Sequence, residues 1–129
     1  MRTVRILLVD DHNDTLRVLD RLLTLHGHEV RTAVTVQQAI QIAGGGAPFD
    51  LLVSDVGLPD GTGMDLLDAL RPMHPPLAAI ALTGYGDEED VMRCRQAGFG
   101  RHLLKPVSLE ALLGAIDSVV PPVAARAAG

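Results

Sequence analysis

The sequence predicts a single α/β domain in which five parallel strands alternate with five helices. Short apolar runs recur along the 129 residues, and each is followed by a segment whose apolar residues repeat at helical spacing. Strands and helices in strict alternation are joined by right-handed crossovers, which put helices on both faces of a parallel sheet. A chain of this length corresponds to one domain. The predicted class is therefore a doubly wound (βα)5 parallel sheet.

The first half of the chain supplies three strands. Residues 4–9 form an apolar run typical of a strand buried on both faces. Residues 28–33 alternate like a strand near the edge of a sheet, and residues 49–55 form a third, apolar strand. Residues 14–26 lie between the first two strands and carry leucines on one helical stripe, and Thr35 begins a second helix. This half therefore reads as β-α-β-α-β.

Capping residues mark where the helices begin. Thr35 is followed three residues later by Gln38, which is the spacing of a capping box. Thr62, near the end of the turn-rich stretch "GLPDGTG" (57–63) and followed by Asp65, is expected to open the third helix, and Ser108 to open the last one. Each of these hydroxyls is expected to accept a hydrogen bond from a backbone N–H in the first turn.

The second half completes the alternation. Residues 77–83 are predicted to form the fourth strand and residues 101–104 a short fifth one. The helix between them begins with acidic residues, as the helix dipole favours. Residues 1–120 are therefore interpreted as the domain, and residues 121–129 as a tail or linker.

Composition excludes several classes of protein. Apolar residues make up 47% of the chain, yet no apolar run approaches the roughly 20 residues of a membrane span. The net charge of −5, without a stripe of basic residues, argues against direct binding of nucleic acid. The only cysteine, Cys94, rules out an internal disulfide and suits a reducing cytoplasm. We therefore expect a cytoplasmic protein without membrane or nucleic-acid partners.

Polar side chains stand at the ends of four predicted strands. Asp10 and Asp11 follow the first strand, and Asp55 ends the third. Thr83 ends the fourth strand, and Lys105, the only lysine in the chain, follows the fifth. Ligands of open parallel sheets bind at the carboxyl ends of the strands. We therefore expect these five residues to meet at one edge of the sheet.

The chemistry of this set of residues is specific. Three carboxylates at short range repel one another and need a cation. Their oxygen atoms favour a hard divalent ion, Mg²⁺, for which Mn²⁺ is the expected substitute. A carboxylate can attack phosphorus to give an aspartyl phosphate, and a lysine ammonium supplies compact positive charge to the transferred group. Gly84, directly after the threonine, leaves room for that group.

Four motifs stand at the ends of the first, third, fourth and fifth strands: "LLVDDH" (7–12), "LLVSDVGLPDGTG" (51–63), "ALTGYG" (81–86) and "HLLKPV" (102–107). Together they resemble the motifs of the receiver domain of two-component response regulators. The resemblance extends from residue 4 to about residue 120. It implies a flavodoxin-like fold with strand order 2-1-3-4-5, which the apolar pattern alone does not supply, and it identifies residues 1–120 as a receiver domain.

The resemblance assigns roles around the three carboxylates. It implies that Asp55 is the phospho-acceptor. Asp11 and Asp55 would then ligate Mg²⁺ directly, and the backbone carbonyl of Gly57 would add a third ligand. Asp10 would act largely through water.

The resemblance also implies a switch. Thr83 would bind the phosphoryl group and move towards it, while Lys105 would pair with Asp55 at rest and with the phosphoryl group after transfer. The Lys-Pro peptide of the family is usually cis, which would place Pro106 in a tight turn and aim the lysine inward. The family usually carries Tyr or Phe three residues before the lysine, where this chain has His102. His102 either only fills this place or reports phosphorylation through a ring that titrates near neutral pH.

The resemblance implies the partners as well. The donor would be a phosphohistidine on a sensor histidine kinase or on a histidine phosphotransfer protein. Phosphorylation would switch residues 87–119 towards an unknown downstream target, and a homodimer on phosphorylation is a further expectation. The stretch "AGFGRHLLKPV" (97–107) resembles receivers attached to hybrid sensor kinases, so a receiver excised from such a kinase is the alternative.

Three rival functions fit the sequence less well. Haloacid-dehalogenase-like phosphatases need a second aspartate two residues after the nucleophile, where this chain has Gly57. A pseudo-receiver that never takes phosphate would be expected to lack Asp55, Thr83 or Lys105. A flavodoxin would need a phosphate loop rich in Ser and Thr after the first strand. We therefore expect no enzyme for external substrates, only catalysis of the chain's own aspartyl phosphorylation and dephosphorylation.

The remaining chemistry-bearing residues receive structural interpretations. Cys94 is expected to pack in the core. Four histidines show no metal-binding spacing with a cysteine or carboxylate, and we interpret them as solvated. They are His12, His26, His28 and His74.

Overall fold

A computed structural model describes residues 3–74, 76–84 and 88–120 and confirms the predicted class of fold. The strands are β1 (Arg5–Val9), β2 (Glu29–Ala33), β3 (Leu51–Asp55), β4 (Gly57–Leu58), β5 (Gly61–Thr62), β6 (Ala78–Thr83) and β7 (Arg101–Leu104). The helices are α1 (Asn13–Leu25), α2 (Val36–Ala43), α3 (Gly63–Leu70), α4 (Glu88–Ala97) and α5 (Leu109–Val119). The predicted tail, residues 121–129, lies outside the described residues.

Five strands form one parallel sheet in the order β2-β1-β3-β6-β7. Because β4 and β5 stand outside this sheet, β6 and β7 are its fourth and fifth strands, and the implied order 2-1-3-4-5 is confirmed. The register places Asp55 opposite Leu82 and Thr83 opposite Leu104. The sheet thus brings the carboxyl ends of β3, β6 and β7 side by side.

The core lies in two layers, one on each face of the sheet. Alternate residues along a strand point to opposite faces, so Ile6 and Leu8 pack with α1 and α5, while Leu7 and Val9 pack with α2, α3 and α4. All five residues of β3 are buried. A strand covered on both sides is therefore what carries Asp55. No helix in the described part of the chain has the length and apolar character needed to cross a membrane.

The predicted helix caps are present. Thr35 Oγ1 accepts a hydrogen bond from the Gln38 backbone N–H at 3.0 Å. The Gln38 side chain reaches one residue further back than a capping box requires, because its Oε1 accepts from the Val34 N–H at 2.8 Å. Thr62 and Ser108 cap α3 and α5 through their hydroxyl oxygens. These local signals place the starts of three helices.

The turn-rich stretch after Asp55 contains an element that the sequence pattern does not predict. Gly57 pairs antiparallel with Thr62, and Leu58 pairs with Gly61, so β4 and β5 form a small hairpin. Strands of two residues are too short to show a period. The hairpin is therefore visible only in the backbone pairing.

The interpretation of the histidines as solvated is wrong for His28 and His74. His28 is half-buried, and its Nδ1 accepts a hydrogen bond from the Val4 N–H at 3.1 Å. His74 Nε2 lies 2.8 Å from the carbonyl oxygen of Ala43, and its ring packs edge-on against Phe49 with 5.5 Å between centroids. These partners are distant in sequence, so local spacing does not reveal them.

Candidate functional site

The carboxyl edge of the sheet holds the polar residues that the sequence predicts there. Asp10 directly follows β1, Asp55 ends β3, Thr83 ends β6, and Lys105 follows β7. Asp10 is 0% exposed, Thr83 5% and Asp55 9%, whereas Asp11 is exposed. Burying two carboxylates without a counter-charge would be strongly unfavourable. The site therefore requires the cation that β7 brings to it.

Lys105 supplies that counter-charge. Its Nζ lies 3.0 Å from Asp55 Oδ2, to which it donates a hydrogen bond, and 2.6 Å from Asp10 Oδ2. The contact with Asp10 is a close ion pair to a fully buried carboxylate. The Lys105 backbone N–H donates to the Thr83 carbonyl oxygen at 2.8 Å, and the Lys105–Pro106 peptide is cis. One ammonium thus bridges two buried carboxylates.

The two buried aspartates differ in their electrostatics. Burial raises the pKa of Asp55, and the neighbouring charges of Asp10 and Asp11 add to this rise, so that the opposing attraction of Lys105 does not cancel it. Burial acts upward on the pKa of Asp10 too, but Lys105 and the hydrogen bonds from His12 outweigh it and the pKa is lowered. Asp10 is therefore the more firmly ionised carboxylate, and Asp55 is the one whose charge is less well balanced.

The pKa of Lys105 is also shifted. Burial acts to lower it, but the hydrogen bonds and charges of Asp10 and Asp55 prevail and raise it. Lys105 is therefore cationic at neutral pH. With Asp11 beside the pair, three carboxylates face one ammonium, which leaves a net negative charge able to attract a further cation.

His12 belongs to this cluster, although the sequence interpretation treats it as solvated and without a carboxylate partner. Its Nδ1 lies 3.1 Å from Asp10 Oδ1 and 3.3 Å from Asp11 Oδ1, while the ring remains exposed. Its backbone N–H donates to Asp10 Oδ1 at 2.9 Å. The sequence feature that could have revealed this contact is the position of His12 directly after Asp10 and Asp11. The turn into α1 brings its ring back onto these two carboxylates.

The donor set fits a divalent cation. One ligand atom from each of Asp10, Asp11, His12 and Asp55 lies within 4.8 Å of the others. Three of the four offer carboxylate oxygens, which are the ligands that Mg²⁺ prefers. Gly57 begins β4 two residues after Asp55, and a Cβ there would meet nothing within 4 Å. The space beside that backbone is open.

Gly63 is a site residue that sequence reasoning missed. A Cβ at this first residue of α3 would lie 2.5 Å from the carbonyl oxygen of Asp55 and 3.1 Å from Ser54 Oγ. Ser54 Oγ donates to that same carbonyl oxygen at 2.9 Å. Only glycine lets α3 begin this close to the end of β3. The sequence feature that could have revealed this contact is the glycine itself. A glycine in the first turn of a helix, where a larger residue would favour the helix, indicates a close approach of another backbone.

His102 lies on β7, opposite Ala81 of β6. Its side chain is half-buried, and its Nε2 is buried without a hydrogen-bond partner in the described part of the chain. The residue lines a cavity of about 170 Å³, together with Cys94 of α4 and Phe99. Cys94 is 1% exposed, as its interpretation as a core residue predicts. The ring is thus directed at the interface between β7 and α4.

Comparison with known sequences agrees with the geometry. The sequence model of the response regulator receiver domain matches residues 6–117. The response regulator protein PilR of Pseudomonas aeruginosa is 33% identical over 109 residues, which are 84% of this chain and 24% of that protein. The chain thus spans about a quarter of the length of this curated relative.

Solved structures show the same fold. The chemotaxis protein CheY4 of Vibrio cholerae is 28% identical, with a TM-score of 0.85 over 92% of this chain and 100% of that one. A response regulator protein from Burkholderia pseudomallei, solved with a phosphorylated aspartic acid, a calcium ion and citrate, is 26% identical. Its TM-score is 0.81 over 97% of this chain and 71% of that one.

Proposed function

Because the chain belongs to the family of response regulator receiver domains, we propose that it accepts a phosphoryl group on Asp55 in a two-component phosphorelay. The observation that carries the proposal is the pairing of Lys105 Nζ with Asp55 Oδ2 at 3.0 Å, at the buried end of the central strand. The phosphorylated aspartic acid of the related Burkholderia pseudomallei protein supports the same chemistry.

Transfer to Asp55 is a displacement at phosphorus. A carboxylate oxygen of Asp55 attacks the phosphorus of a phosphohistidine, and the P–N bond breaks. The electron pair of that bond stays on the donor imidazole, which takes up a proton. Burial and the nearby charges of Asp10 and Asp11 raise the pKa of Asp55, whereas the pKa of Asp10 is lowered. The negative charge of Asp55 is therefore the less well stabilised of the two, which favours Asp55 as the attacking carboxylate.

Lys105 neutralises charge on both sides of the step. Before transfer it binds Asp55 and Asp10, and after transfer its ammonium stays within reach of the new phosphoryl oxygens. The Thr83 hydroxyl, at the end of the neighbouring strand, donates a hydrogen bond to the same group. Gly84 supports this role, because a Cβ there would meet nothing within 4 Å.

Asp11, Asp55 and the Gly57 carbonyl would hold Mg²⁺, with Asp10 acting largely through water. When bound, the cation would offset the negative charge of the carboxylates and of the phosphoryl oxygens. Mn²⁺ is expected to substitute, since it takes the same oxygen ligands. The support for this assignment is the group of carboxylate oxygens within 4.8 Å of one another.

Phosphorylation biases a switch whose output is the surface of α4, β7 and α5, residues 87–119, of which residue 87 lies outside the described residues. Movement of Thr83 towards the phosphoryl group frees space on the side of β7 where His102 lies, and the His102 ring then changes position. Residues 1–120 act as the receiver domain and residues 121–129 as a tail or linker.

The partners follow from this role. The phosphoryl donor is a sensor histidine kinase or a histidine phosphotransfer protein. The switched surface binds either a downstream target or a second copy of the chain. The protein acts in the cytoplasm, and the buried free thiol of Cys94 supports this reducing compartment. It contacts neither a membrane nor nucleic acid directly. Receiver domains are signalling modules, and this one catalyses only its own phosphorylation and dephosphorylation.

The alternative is that the chain is the receiver portion of a hybrid sensor histidine kinase. The observation that favours it is His102 in the place of the family's usual aromatic residue. The mass of the protein isolated from its native source decides between the two, because a hybrid kinase is several times longer than 129 residues.

The central test is incubation with acetyl phosphate and Mg²⁺, followed by mass spectrometry of the wild type and of Asp55→Asn. The wild type should gain the mass of one phosphoryl group, and the variant should gain none. Equal gain on both proteins, or no gain on the wild type, would contradict the proposal. Repeated turnover of a generic phosphoester would instead indicate a phosphatase.

A further inference from the structure

The tip of the β4–β5 hairpin is tied to α2. The turn between the two strands is Pro59-Asp60. Asp60 Oδ1 accepts a hydrogen bond from the Val36 N–H at 2.8 Å, and its Oδ2 accepts one from the Gln37 N–H at 2.9 Å. Asp60 therefore caps a helix that begins 24 residues earlier in the chain.

This contact is chemically favoured. The first N–H groups of a helix have no partner within the helix and lie at the positive end of its dipole, where a carboxylate is stabilised. The N–H groups of Gln37 and Val36 accordingly lower the pKa of Asp60. Thr35 caps the Gln38 N–H independently. Two of the three capped donors of α2 thus depend on the hairpin, and one does not.

The hairpin transmits this anchoring to the candidate site. Gly57 pairs with Thr62 at the open end of the hairpin, two residues after Asp55. Gly61 packs closely on α2, since a Cβ there would lie 3.3 Å from Val36 Cγ2. The pairing of Gly57 with Thr62 therefore connects the Gly57 backbone to a tip that is hydrogen-bonded to α2.

We propose that Asp60 is a positioning residue that holds the Gly57 backbone in register with Asp55 by anchoring the hairpin to α2. The proposal rests on the proposed function, in which the Gly57 carbonyl is a metal ligand. It extends that function by assigning part of the site's geometry to a residue that touches neither the metal nor the phosphoryl group.

The test compares Asp60→Ala with Thr35→Ala. Both substitutions remove capping bonds from the first turn of α2, but only the first one releases the hairpin. In metal-free protein, Asp60→Ala should shift the amide NMR signal of Gly57 and accelerate its hydrogen exchange, whereas Thr35→Ala should leave it in place. In a calorimetric titration with Mg²⁺, Asp60→Ala should weaken binding about tenfold, the lower end of what is lost when a residue that positions a metal ligand is removed.

A second variant guards against a general loss of structure. Asp60→Asn keeps one acceptor oxygen and should recover part of the Gly57 signal position and of the Mg²⁺ affinity. An unchanged Gly57 signal in Asp60→Ala, or equal weakening of Mg²⁺ binding by Thr35→Ala, would overturn the proposal. Failure of the wild type to bind Mg²⁺ would contradict the proposed function, while the metal-free Gly57 signal would still decide the role of Asp60.

Discussion

Lys105 shows why a chain that otherwise uses arginine keeps one lysine. Its Nζ contacts Asp10 and Asp55 at 2.6 and 3.0 Å within a pocket that leaves 18% of the lysine side chain exposed. An ammonium is compact and directs three donors from one atom, whereas a guanidinium is a broad planar fork. The compact ammonium can therefore contact both carboxylate oxygens at once.

His102 buries its Nε2 without a hydrogen-bond partner among the residues that the structure describes. A buried nitrogen without a hydrogen-bond partner carries an unfavourable desolvation free energy, typically about 1–3 kcal/mol. The cavity beside it leaves room for a larger ring. This environment favours the hypothesis that His102 reports phosphorylation. A ring whose nitrogen lacks a hydrogen bond in one position lowers its free energy by moving to a position where it can form one.

His102→Phe should raise the free energy of unfolding by about 1 kcal/mol, because the ring loses its unpaired polar atom and keeps its packing. Urea unfolding followed by circular dichroism measures the change, and an unchanged slope against urea shows that the comparison is valid. A loss of stability in this variant would mean that Nε2 has a favourable partner in solution.

At the scale of elements, the start of α3 is packed tightly against the end of β3. Gly63 lies against the Asp55 carbonyl, its N–H donates to the Val56 carbonyl oxygen at 2.9 Å, and Thr62 caps the helix through Asp65. After the hairpin, the chain therefore returns so that α3 begins directly against the end of the strand that carries Asp55. A change of backbone position here would be passed on to the Asp55 side chain.

Gly63→Ala should lower the free energy of unfolding by about 1–3 kcal/mol, the usual effect of overpacking, and slow phosphorylation by acetyl phosphate. The added Cβ would meet a backbone carbonyl, which cannot move aside as a flexible side chain does. Thermal unfolding and the rate of mass gain measure the two effects.

Gly114→Ala is the matched control. Gly114 also lies in a helix, but a Cβ there would meet nothing within 4 Å, so alanine should stabilise α5 by about 1 kcal/mol. Phosphorylation should proceed at the wild-type rate. The same effect from both substitutions would show that helix propensity, and not the contact with Asp55, governs Gly63.

At the scale of the whole molecule, the two ends of the sheet have opposite tasks. At the amino end, Arg5 binds Asp50 through two side-chain hydrogen bonds of 2.9 and 3.0 Å, so the charges are matched. At the carboxyl end, Lys105 faces more negative charge than it can balance. One end of the sheet is therefore held by a matched pair, and the other keeps charge available for a ligand.

The unbalanced end should make stability depend on pH. The pKa of Asp55 is raised above 3.8, so the folded protein binds more protons than the unfolded chain between 3.8 and the folded value. The stability that Asp55 contributes is therefore lost as pH rises through that window. Asp10, with a lowered pKa, acts in the opposite sense, and its contribution is lost as pH falls through its folded value.

Asp55→Asn should accordingly become more stable relative to the wild type as pH rises from 3.8, and the difference should level off above the folded pKa of Asp55. Urea unfolding of both proteins in metal-free buffer across acid and neutral pH measures it. A difference that shrinks as pH rises would show that the pKa of Asp55 is lowered in the folded protein.

The sequence by itself determined the five strands of the main sheet, the five helices and the edge where the site lies. The alternation of apolar runs with helical stripes is a local property, and so are caps such as Thr35 and Ser108, whose partners are three residues away. Asp10, Asp55 and Lys105 could be assigned to one edge because parallel strands all end on the same side. No distance was needed for that assignment.

Only the tertiary structure decided how these residues meet. Three contacts join positions that no sequence pattern relates. Lys105 is shared between two carboxylates, Gly63 contacts Asp55, and Asp60 is anchored on α2. The His102 nitrogen, which has no hydrogen-bond partner among the described residues, likewise depends on what packs around it. A sequence pattern records which face a side chain takes, whereas distance, burial and hydrogen bonding arise only when the elements pack.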